Sequence, residues 1–148
     1  MTASISPERQ LTNAIADELT FYRELFFLTD KQRDALQQDS PGDIPDIQQE
    51  ITAVQSRIEQ SEQTLRQLRD QSPDEFDRVI RSAPVAAALA NITELIKRTQ
   101  DVVADCAQIA ARKKAEYQTE LGQIGVGRML LSGMNKSAGE PQFIDQRP

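Results

Sequence analysis

The sequence predicts an all-α fold, an elongated antiparallel helical bundle or coiled coil of three long helices plus one short helix. Three observations predict it. Apolar residues recur at alternating steps of three and four in separate long stretches, the signature of helices that bury a seam. Turn-forming and helix-starting residues divide those stretches at Asp39 to Asp43 and at Ser72 to Glu75. Hydrophobic residues make up 39% and aromatics 5% of the chain, which suits narrow seams better than a round core. A length of 148 residues is that of one domain. The expected division is a helical bundle over 1–131 followed by a polar, flexible tail over 132–148.

The first helix starts at Ser6 and Pro7, a capping residue followed by a proline suited to the first turn. It runs to about Gln38 on Leu11, Ile15, Leu19, Tyr22, Leu25, Phe26, Leu28, Thr29 and Leu36. Its middle, Phe21 to Leu28, is apolar on more than one face and so calls for two neighbours. The turn at Asp39 to Asp43 makes the next helix an antiparallel neighbour. That helix spans Ile44 to Asp70, with Asp43 as the expected cap, and carries the most regular seam: Ile44, Ile47, Ile51, Val54, Ile58, Ser61, Leu65 and Leu68.

Ser72, Pro73, Asp74 and Glu75 spell a capping box for a short helix over 73–82 holding Phe76, Val79 and Ile80. Pro84 then either kinks one long helix running from 73 onward or separates two helices; the break is favoured, because Ser82 can cap a new helix whose first turn holds Pro84. The final helix has an expected seam of Leu89, Ile92, Ile96, Thr99, Val103, Cys106, Ala110, Lys113, Tyr117, Glu120 and Ile124. Without a proline after Pro84, it reaches roughly 60 to 70 Å at 1.5 Å per residue. Its packing loosens beyond Ala110, where Lys113 and Glu120 enter the seam. Towards its end, Gly122, Gly125 and Gly127 each weaken the helix by about 1 kcal/mol relative to alanine. Among them stand Ile124, Val126, Met129, Leu130, Leu131 and Met134. Weak helix joined to apolar, methionine-containing side chains suits a segment that a partner orders, and equally a frayed end tucked against the bundle.

The composition narrows the chemistry. A formal net charge of -6 disfavours nucleic acid and anionic membrane as the main partner. The run Arg112, Lys113, Lys114 lies beside Glu116 and Glu120 and reads as a solvated face. One cysteine and no histidine exclude an internal disulfide and remove the commonest metal ligand and general base. Cys106, at a seam position, reads as a buried structural thiol. The carboxylates are spread along helix faces, so no enzyme site, cofactor or metal is expected. No run of apolar residues reaches the ~20 of a membrane span, and no secretory signal is read at Met1 to Gln10, so a soluble, cytoplasmic chain is expected.

The order of these features resembles the FlgN-type flagellar export chaperones. Glu18-Leu19, Tyr22, Leu25, Leu28 and Ala35-Leu36 follow the spacing of that family's first helix. Gly42, Asp43 and Ile44 match its second-helix start, followed by a heptad helix of Gln, Glu and Arg and a long last helix with an apolar, glycine-containing end. The resemblance covers roughly residues 11–131. It implies a chaperone that masks an amphipathic terminal helix of hook-filament junction (hook-associated) proteins and delivers them to the flagellar type III export apparatus. The expected client-binding residues are Tyr117, Leu121, Ile124, Val126, Met129, Leu130 and Leu131, with the Phe21 to Leu28 cluster next in line. A rival reading is a structural coiled-coil module or adaptor whose seams pair between two copies. It is less economical, because three seams in one chain can satisfy one another.

Overall fold

A computed structural model describes the backbone of residues 6–38 and 41–135 and, within these, the side chains up to residue 123 except at 41. Residues 39 and 40 of the turn and the whole tail beyond 135 therefore lie outside the described residues. Among the described residues the chain is all-α: α1 (Pro7–Gln37), a 3-10 turn (Pro41–Asp43), α2 (Ile44–Gln71), α3 (Pro73–Ile80) and α4 (Ala83–Asn135). It divides into two compact units, Met1–Ala107 and Gln108–Pro148.

In the first unit α1 begins as its sequence dictates, with the Ser6 hydroxyl accepting the Arg9 N–H at 3.2 Å. The other expected caps differ. Asp43 makes no side-chain cap bond, because it ends a 3-10 turn with helical backbone angles, whereas a capping side chain normally needs an extended residue. Ser72 caps α3 only through its carbonyl, which accepts the Phe76 N–H at 2.9 Å; its hydroxyl makes no cap bond. Ser82 turns its hydroxyl back to donate to the Val79 carbonyl at 2.6 Å, and it too caps its helix, α4, only through its carbonyl, which accepts the Ala86 N–H at 2.9 Å. The break itself is as expected, and the two helices meet at 77°. Pro84, with no N–H, cannot reach the Ile80 carbonyl and so cannot carry α3 onward.

α1 and α2 form an antiparallel hairpin. Its register is fixed by Gln32 donating to Gln48 at 3.0 Å at one level and by Arg57 reaching Glu24 at 3.5 Å at another. Along the hairpin Leu28 and Ala35 of α1 pack on Ile47, Ile51, Val54 and Ile58 of α2. A second cluster joins Leu11 and Ile15 of α1 to Val79 of α3 and to Val85 and Ile92 of α4, with Leu65 and Leu68 of α2 at its edge. Burial of each such side chain contributes about 1.5–3 kcal/mol. α4 runs parallel to α1, since Arg78, at the end of α3, pairs with Glu8 at 3.1 Å while Arg33 pairs with Asp105 at 2.9 Å. The result is an up-down-up bundle.

The α4 seam departs from the expected one. Ile92 and Thr99 are buried and Cys106 half-buried, as the spacing predicts, but Val103 is 53% exposed and Val102 only 4%. From Thr99 the buried row steps three residues to Val102, where the expected seam steps four to Val103.

Candidate helix-docking site

Residues 108–135 of α4 belong to the second unit. Here Ile109 is buried, in place of the expected Ala110, and Lys113 is half-buried; every side chain from Lys114 to Gln123 is exposed. Tyr117 and Leu121 are each 56% exposed, so neither Tyr117 nor Glu120 serves in an internal seam. An added Cβ at Gly122 would meet nothing within 4 Å. The backbone there is helical in spite of the glycines, and only the propensity argument separates Gly122 from an alanine.

Of the expected client-binding residues, the helix brings some together and separates others. At about 100° per residue, positions 117, 121, 124 and 131 fall on one row of α4. Positions 126, 129 and 130 fall on the opposite side of the helical cylinder. Tyr117, Leu121, Ile124 and Leu131 therefore form one candidate docking row, which Val126, Met129 and Leu130 cannot share. The side chains from 124 onward lie outside the described ones, so these later residues are placed by backbone register alone.

The aromatic stretch of α1 divides as well. Phe21, Tyr22 and Leu25 pack against the first cluster and Tyr22 also against the second, giving the two neighbours that the sequence called for. Phe27 is 66% exposed and stands over a shallow open groove bordered by Glu24, Lys31, Ala53 and Arg57. Its position opposite the α1 seam was legible only as one aromatic too many for one face.

Glu18 is the residue that sequence reasoning missed. It is 7% exposed and lies on the inward row Leu11, Ile15, Glu18, Tyr22, where the adjacent Leu19 had been the expected seam residue. Burial, then the nearby Glu62 carboxylate, raises its pKa above the ordinary 4.5. Tyr22 is raised by its own burial and by the same two carboxylates. The signal was a run of steps four, three and four from Leu11 through Glu18 to Tyr22. Burial likewise pushes the Cys106 thiol up, against a reactive thiolate; Arg33 pulls the other way, and Asp105 and Asp30 add to the rise.

Among the described residues no group of three or more potential metal-binding side chains comes together, and no single helix is long and apolar enough to cross a membrane. Comparison with protein families, curated proteins and solved structures finds no match to this chain.

Proposed function

We infer that this chain is a helix-capture protein whose docking surface is the exposed row of α4 around Tyr117 and Leu121. The observation that carries this reading is the 56% exposure of both side chains, one turn apart on α4. An exposed apolar row at alternating steps of four and three is the surface onto which an amphipathic helix packs. Its biological form is an export chaperone: the partner is a terminal helix of a hook-filament junction protein, held before delivery to the flagellar export apparatus. That part of the reading rests on the resemblance of residues 11–131 to the FlgN-type chaperones.

Truncation after Glu120 removes Leu121 and all later row positions while sparing the α1–α2–α3 packing. Capture of a purified hook-filament junction protein by the 1–120 chain should be lost, with the far-UV helical signal reduced only by the missing residues. Retained capture would move the site to the groove beside Phe27.

A further inference from the structure

We propose that the α4 docking row selects a partner helix bearing carboxylates at two seam-facing positions about fourteen residues apart, and rejects a second copy of this chain. The proposal rests on the helix-capture reading and adds the partner's charge pattern. Within residues 108–135 the row reads Ala110, Lys114, Tyr117, Leu121, Ile124, Arg128, Leu131, an unbroken alternation of four and three. Ala110, Lys114, Tyr117 and Leu121 are all exposed. Two of the row's positions are cationic, and they stand about 21 Å apart along the helix axis.

The helix itself supplies no counter-charge to either. Arg112 and Lys113 have Glu116 at four and three residues' distance, the spacing at which side chains on one helix meet. Lys114 has Ala110, Ala111, Tyr117 and Gln118 at those spacings, and Arg128 has Ile124, Gly125, Leu131 and Ser132. In a chain of net charge -6, two cations set without carboxylate neighbours in one apolar row mark the row for an acidic partner. A charged seam position also fixes register. Two copies paired in parallel would set Lys114 against Lys114 and Arg128 against Arg128. Paired antiparallel about Leu121, they would set Lys114 against Arg128. Both fully overlapped arrangements place like charges in contact.

The test uses the full chain and designed helical peptides of about three heptads with a leucine seam. One peptide carries glutamate at two seam positions fourteen residues apart, a second carries them seven apart, and a third carries lysine at the fourteen-residue spacing. The first should bind about tenfold more tightly than either of the others by fluorescence anisotropy. The variant Lys114→Glu/Arg128→Glu, with an unchanged helical signal, should invert the order and prefer the lysine peptide. Equal binding of all three peptides would overturn the charge selection while leaving helix capture standing. Binding of none would overturn both. A wild-type dimer that dissociates in Tyr117→Ser/Leu121→Ser would overturn the exclusion of a second copy.

Discussion

At the scale of the residue, Glu18 has the clearest consequence. Its folded pKa lies above its unfolded one, so between the two the folded chain holds a proton that the unfolded chain has released. Its contribution to stability is present in full below the ordinary glutamate value of 4.5 and is lost as pH rises through the folded pKa. Glu18→Gln should therefore raise neutral-pH stability by about 1 kcal/mol and flatten the fall in stability above pH 4.5. Urea titrations across that range read both effects; a less stable variant at neutral pH would assign Glu18 a favourable partner instead. Leu11, 2% exposed at the centre of the second cluster, should behave conventionally. Leu11→Ala is expected to destabilise the bundle by about 3 kcal/mol in the same titrations.

At the scale of the element, the corrected α4 seam separates two adjacent valines. Val102→Ser should destabilise by about 2 kcal/mol, whereas Val103→Ser should stay within about 0.5 kcal/mol of wild type. Equal losses would restore the strict heptad. Gly122→Ala adds a side chain into open space and should strengthen the end of α4 by about 1 kcal/mol, seen as slower amide exchange around residue 122. Sequence resolved the elements well because periodicity and proline are local signals: Ser6-Pro7, the α2 isoleucines and the Pro84 break all stand where spacing put them. The cap chemistry at Asp43, Ser72 and Ser82 did not, since it depends on backbone angles set by the preceding turn. Nor did the choice between Val102 and Val103, since both stand at a helical step from Thr99, three residues or four, and only packing decides between them.

At the scale of the whole molecule, the first unit satisfies its seams internally. Among the described residues there, the α1–α2 register, the parallel course of α4 beside α1 and the two apolar clusters leave no long internal seam requiring a second chain. Light scattering of the full chain should accordingly report a monomer, and an obligate dimer would favour the coiled-coil module. The candidate site was legible in part. Tyr117 and Leu121 are exposed as a client-binding row requires, but apolar character alone had also recruited Val126, Met129 and Leu130, which helical geometry sends to the other side. Composition counts apolar residues near a chain end; only the period of the helix says which of them can touch the same partner.

The most direct measurement of the central claim is a calorimetric titration of a purified hook-filament junction protein into the intact chain and into its Tyr117→Ser/Leu121→Ser variant. Both side chains are exposed, so the variant should keep the helical content and unfolding midpoint of the wild type. Binding to the intact chain and a loss of affinity of about a hundredfold in the variant is the predicted result. Equal affinity of the two proteins, or no binding by the intact chain, would contradict the account.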